Sequence, residues 1–90
     1  MQINYDPKKN EKNIRERGLS FDRANELDFA TASYFFGERS GEVRRIVVGY
    51  LDKRLHVLVY QYRDGGMWVI SFRKASTKEA KRYGKAKTID

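Results

Sequence analysis

Gln61, Arg63, Ser71 and Arg73 alternate along two segments, Tyr60-Gln61-Tyr62-Arg63 and Met67-Trp68-Val69-Ile70-Ser71-Phe72-Arg73, that flank Asp64-Gly65-Gly66. β-Branched and aromatic residues on both sides of an Asp-Gly-Gly turn specify a β-hairpin, because glycine takes positive φ without steric cost. Alternate side chains of a strand share a face. A three-residue loop at 64–66 would set Arg63 opposite Met67 and put Gln61, Arg63, Ser71 and Arg73 on one face. Tyr60, Tyr62, Trp68, Ile70 and Phe72 would take the other. Guanidinium groups gathered on one face can hold a phosphate through paired hydrogen bonds and favour the charge that develops in phosphoryl transfer. A further cation joins them from the preceding strand: Arg44 if the turn near Asp52-Lys53-Arg54 has two residues, Arg45 if it has three. Solvated ion pairs with Glu38, Glu42 or Asp64 explain the same arginines equally well, since exposed arginines are common on antiparallel sheets.

Glu42 lies two residues before Arg44 and therefore on its face, as a candidate base or orienter of the arginine. Tyr83 or Tyr60 is a candidate proton donor, although a tyrosine near its ordinary pKa of about 10 needs a cation close by. Packing of a helix against a sheet accounts for Tyr83 as well. The lone histidine, His56, alternates onto the face opposite Arg63 and is expected as a surface or edge residue rather than in catalysis. Tyr62 and Trp68 would face each other in the assumed register, either as a platform for bases or as core. With no cysteine and a single histidine, neither a thiolate site nor a multi-histidine metal centre is expected, and no cofactor is implied.

Ninety residues with 40% apolar content make one small domain, residues 1–90, with a modest core. The chain holds no apolar run of membrane-spanning length and begins with polar residues, so a cytoplasmic protein without membrane contact is expected. Nineteen Lys and Arg against twelve Asp and Glu give a net charge of +7. The basic residues are scattered over the whole chain, which favours a nucleic-acid or acidic-protein partner.

The elements that must carry these residues can be read in order. Ile3-Asn4-Tyr5 reads as a short edge strand or an ordered terminus. Asp6-Pro7 marks a helix start, with Asp accepting from free amides and Pro at the first helical position. That helix should run from Pro7 to Arg17, bury a narrow stripe at Ile14, and stop at Gly18. Ser20 can cap a second helix in which Phe21, Ala24 and Leu27 recur every third residue. Residues 32–36 form a strand, residues 37–41 a polar loop, and Val43 to Leu51 and Leu55 to Arg63 two further strands of an antiparallel meander. Ser76-Thr77-Lys78-Glu79 is a capping box opening a terminal helix from about Thr77 to Tyr83, after which Lys85 to Asp90 should fray. The fold class is thus α+β: an antiparallel meander with two N-terminal helices and one C-terminal helix.

Tyr5-Asp6-Pro7-Lys8-Lys9, Asn13 and Gly18-Leu19-Ser20-Phe21-Asp22-Arg23-Ala24 resemble the opening of the BrnT toxin family. Glu42-Val43-Arg44, Gly49, Val59-Tyr60-Gln61-Tyr62-Arg63 and Ile70-Ser71-Phe72-Arg73-Lys74-Ala75, then Glu79 and Tyr83, are similar to its remaining blocks. Tyr5, Arg17 and Gln61 stand where the family usually has Trp, His and often Thr. The resemblance implies a RelE-like fold and a ribonuclease toxin of a type II toxin–antitoxin pair. It also implies a BrnA-like ribbon-helix-helix antitoxin as partner, with operator DNA reached only through that antitoxin. On this reading Arg44, Arg63, Arg73, Glu42 and Tyr83 are the candidate catalytic set. Lys8, Lys9, Arg45 and Lys74 are candidate RNA contacts, and no metal is required because the RNA 2′-hydroxyl can attack the adjacent phosphorus. The alternative is a non-catalytic basic module that binds RNA or DNA, or an adaptor for an acidic partner.

Overall fold

The computed structural model describes residues 2–89. A five-stranded sheet dominates it, in the order β1 (Ile3–Asn4), β5 (Gly66–Lys74), β4 (Arg54–Arg63), β3 (Glu42–Leu51), β2 (Ser33–Arg39). The sheet is mixed, because β1 pairs parallel to β5 through Ile3 with Met67 and Asn4 with Trp68. The expected frame of two N-terminal helices and one C-terminal helix on a purely antiparallel meander is therefore corrected. Among the described residues only α1 (Pro7–Arg17) is a long helix, and α2 spans just Thr77–Arg82. The second N-terminal helix is a 3-10 segment, Phe21–Glu26. Its apolar period of three is the 3-10 period itself, and Phe21, Ala24 and Leu27 are all buried. The polar loop expected at 37–41 shrinks to Ser40-Gly41, since β2 runs on through Gly37 to Arg39.

All three hairpins close through two-residue turns. Ser40-Gly41, Asp52-Lys53 and Asp64-Gly65 each place both residues at positive φ, the geometry whose twist matches that of the flanking strands. Two consequences concern the arginines. In the β3–β4 pair Arg45 faces Tyr60, so Arg44 falls on the Gln61 face and the two-residue option holds. In the β4–β5 pair Arg63 faces Gly66 rather than Met67, one position off the expected register. The slip is undone further along: Tyr60 faces Val69 but Val59 faces Ser71, leaving Ile70 as the extra residue of a β-bulge. Gln61, Arg63, Ser71 and Arg73 consequently share a face as expected. Trp68 joins them, because it sits opposite Gln61, and Tyr62 sits opposite Met67 on the other side.

Both faces bury apolar residues. Val47, Leu58, Tyr60, Met67, Val69 and Phe72 pack under the 3-10 segment, and Val48, Leu55 and Val57 pack under Ala75 and Ala80 of the α2 region. α1 is not held by an apolar stripe. Ile14 is 47% exposed, whereas Asn10 and Asn13 are buried. Asn13 Nδ2 donates to the carbonyls of Leu19 and Phe72, both at 2.9 Å, and Asn10 Oδ1 accepts from the Phe21 amide at 2.7 Å. Two asparagines one turn apart thus tie the helix to β5 and to the following segment. The C-terminal residues do not fray: Lys87 O accepts from the Leu55 amide, the Ile89 amide donates to Lys53 O, and Tyr50 Oη donates to Ala86 O. Met1 and Asp90 lie outside the described residues.

His56 is buried rather than at the surface, 4% exposed and 5.6 Å from the Phe72 ring, with Nδ1 2.7 Å from Arg54 O. Burial first, with Arg54 and Lys74 adding to it, lowers its pKa below the ordinary 6.5. The folded state keeps this imidazole neutral while the unfolded chain protonates, so stability is lost as pH falls below about 6.5. Thermal melts from pH 7.5 to 5 should show this loss, and His56→Asn, which keeps an amide donor for Arg54 O, should flatten it. Asn13→Ala should cost about 1–3 kcal/mol because it leaves the Phe72 and Leu19 carbonyls without their partner, whereas Ile14→Ala should leave the melting temperature nearly unchanged.

Candidate functional site

The turn end of the sheet carries a connected polar network on one face. Gln61 is buried, and its Nε2 donates to Glu42 Oε2 at 3.0 Å while its Oε1 accepts from Arg63 Nη2 at 2.7 Å and Nε at 3.2 Å. One amide thereby fixes both a carboxylate and a guanidinium. Arg63 also lies over the Trp68 ring at 4.8 Å, the geometry of a cation–π contact. Arg44 stands beside Gln61 on the same face, and its Nε is buried with no hydrogen-bond partner among the described residues. A buried N–H without an acceptor is costly.

The α2 end of the same face is built differently. Arg73 Nη1 and Nη2 donate to the two carboxylate oxygens of Glu79 at 2.7 and 2.8 Å. Glu79 is itself the N3 residue of the capping box and accepts from the Ser76 amide. Arg73 holds its pKa above the ordinary arginine value chiefly through this pair. Tyr83, just past α2, stacks on Phe35 of β2 with ring centroids 4.9 Å apart and lies close enough to Arg73 to interact with it electrostatically. Partly buried Ile46, Val59 and Ser71 occupy the strand positions between the two ends and complete the strip of sheet face termed the trough.

Arg63 and Arg73 do not converge on one spot. Arg73 faces Val57, six positions from Arg63 on β4, roughly 20 Å at the usual strand rise. The reason is simple: Arg63 adjoins the hairpin turn and Arg73 sits near the open end. Gln61 brings Glu42 and Arg63 together, Arg44 shares their strand face, and Arg73 and Tyr83 form a second group. Arg45 is on the opposite face, where its guanidinium lies over Phe36 and Tyr62. Tyr60 is on that face too, buried, its pKa pushed up to about 12 by burial and by its bond with Tyr62. It cannot serve the trough. Lys8 and Lys9 are exposed on α1 and Lys74 is exposed beside His56 on the opposite face.

Three residues outside the expected set line this region. Gln61 organises the turn end, and its place in the pattern was legible without its role. Trp68 reaches the site only through the register slip. Arg17, at the C-terminal end of α1, borders a cleft of about 280 Å³ with Lys9, Asn13 and Ser71. It also borders a cleft of about 770 Å³ that includes Arg23, Arg54, His56, Arg73 and Lys74. No spacing rule connects residue 17 to residue 73; only the seating of α1 along β5 does.

Glu79 titrates well below its ordinary range, at about 2 against 4.5, first because of the Arg73 hydrogen bonds. Its contribution is present in full above pH 4.5 and lost as pH falls toward 2. Acid unfolding followed by circular dichroism should therefore show a stabilising transition in that window that Glu79→Gln removes, at a cost of about 1–2 kcal/mol at neutral pH for a pair partly open to solvent.

A family model described as the ribonuclease toxin BrnT of type II toxin–antitoxin systems matches residues 5–79. No curated protein and no solved structure matches the chain. The matched span runs from the β1–α1 junction through β5 to Glu79, and so contains both ends of the trough except Tyr83. The chain belongs to the BrnT family of ribonuclease toxins of type II toxin–antitoxin systems.

Proposed function

We propose that the trough binds single-stranded RNA along its length and cleaves it at the Glu42–Arg44–Arg63 end without a metal ion. The Gln61-linked pair of Glu42 and Arg63 carries this reading: a carboxylate and a guanidinium held together at an open cleft, with Arg44 on the same strand face, suit a phosphate and its neighbouring 2′-hydroxyl. Glu42 accepts the proton of the 2′-hydroxyl as that oxygen bonds to phosphorus. Arg44 and Arg63 hold the non-bridging oxygens as charge builds on them. The P–O5′ bond breaks and the departing oxygen takes a proton from water at this open end, leaving a cyclic phosphate and a 5′-hydroxyl. Trp68, under Arg63, gives the adjoining base a stacking surface.

Arg73 and Tyr83 lie too far along the trough to serve the same phosphorus. Their part is to hold the RNA several nucleotides away, with Glu79 fixing the Arg73 fork. Lys8, Lys9, Arg45 and Lys74 contribute to the field that attracts the polyanion, which the net charge of +7 supports. Neutralisation by a BrnA-like ribbon-helix-helix antitoxin belongs to the same reading, with DNA engaged by that partner.

Purified protein should cut RNA at an undiminished rate in excess chelator and leave 2′,3′-cyclic phosphate ends. Arg44→Ala and Arg63→Ala should each lower the rate about 100-fold or more at an unchanged melting temperature. Arg73→Ala should chiefly weaken RNA binding. Cleavage abolished by chelator, or lost only in variants that fail to fold, contradicts the proposal.

A further inference from the structure

The face opposite the trough and the free edge of the sheet carry a second surface. β2 is the outermost strand, and among the described residues its only strand partner is β3. Its hairpin closes with the Arg39–Glu42 pair next to a two-residue turn, and in such a hairpin the closing pair exchanges both hydrogen bonds. Bonded pairs then fall at every second residue, at 37 and 35, which turns the amides and carbonyls of Tyr34, Phe36 and Glu38 outward. Phe36 is 69% exposed and Tyr34 is 56% exposed. Tyr34, Phe29 and half-exposed Tyr62 border an open cleft of about 640 Å³ next to the buried Tyr60 and Met67. Arg45 stands between the Phe36 and Tyr62 rings, at 5.2 and 4.6 Å. A row of outward backbone groups flanked by large exposed aromatics is a template for an added strand.

We propose that β2 accepts an extended segment of the antitoxin as a sixth strand, with apolar side chains against exposed Phe36 and in the Phe29–Tyr34–Tyr62 cleft and an acidic side chain against Arg45. This deepens the toxin–antitoxin reading and depends on it only for the partner. Charge selects the occupant. A second copy of this chain would bring two bodies of charge +7 edge to edge, whereas an acidic segment gains from the same field. RNA is disfavoured because Arg45, among the residues of this patch, is the lone cation, and it is already engaged by two rings.

The test is amide hydrogen exchange on this chain alone and on its complex with its cognate antitoxin, obtained by co-expression. The amides of Tyr34, Phe36 and Glu38 should exchange freely in the chain alone and be protected in the complex. Phe36→Pro removes one outward donor while sparing the β2–β3 bonds and should weaken the complex at least 30-fold. Tyr34→Ala with Phe36→Ala, which leaves the backbone untouched, should weaken it by about 10-fold. Unprotected β2 amides in a stable complex overturn the proposal, as does self-association of the free chain that Phe36→Pro abolishes, or an RNA affinity that falls with Phe36→Pro while antitoxin binding does not. An inactive protein that still shows the protection would sink the cleavage mechanism and leave the docking surface standing. An active protein without it would do the reverse.

Discussion

One unmatched residue sets the geometry of the site. The tight turn at Asp64-Gly65 slips the β4–β5 register by one, and a slip of one sends every later side chain of β5 to the other face. Ile70 absorbs that slip as a bulge, so Ser71 and Arg73 return to the face of Gln61 and Arg63 while Trp68, before the bulge, is carried onto it. Without the bulge Arg73 would point into the space beneath the 3-10 segment, where Phe72 now lies fully buried. The placement of two arginines and a tryptophan on one surface therefore rests on backbone geometry at a position that takes no part in chemistry.

Around that face polar side chains fasten one element to the next. Asn10 and Asn13 hold α1, Gln61 links Glu42 to Arg63, and Glu79 serves at once as helix cap and as counter-ion to Arg73. Each joins its own element to a neighbouring one, which stiffens the junctions that a short chain cannot fix by apolar burial alone. The trough that results runs over Ile46, Val59 and Ser71, with cationic groups at either end rather than one cluster in the middle.

Much of this was legible in the residues. Caps are local, so Asp6-Pro7, Gly18, Ser20 and the Ser76–Glu79 box marked the helix ends correctly. The alternation of Gln61, Arg63, Ser71 and Arg73 gave the right face through two compensating errors, a loop one residue too long and a bulge not foreseen. Non-local facts were hidden. A six-residue 3-10 segment and a helix share capping signals, and only the strict period of three at Phe21, Ala24 and Leu27 separates them. The parallel pairing of β1 leaves no trace in a two-residue strand. Ile14 looked like the anchor of α1 because apolar residues usually are, and the asparagines beside it did the holding. Sharing a face was mistaken for meeting at a point, although residues 63 and 73 flank a turn at unequal distances and lie far apart along the strands.

A double-mutant cycle on RNA cleavage tests the account most directly. On the proposed mechanism Arg44 and Arg63 act on one phosphate, so the effects of Arg44→Ala and Arg63→Ala should be non-additive by more than about 1 kcal/mol in activation free energy. Arg63→Ala and Arg73→Ala, at opposite ends of the trough, should combine additively within about 0.5 kcal/mol. Strong coupling between Arg63 and Arg73 with none between Arg44 and Arg63 would contradict it.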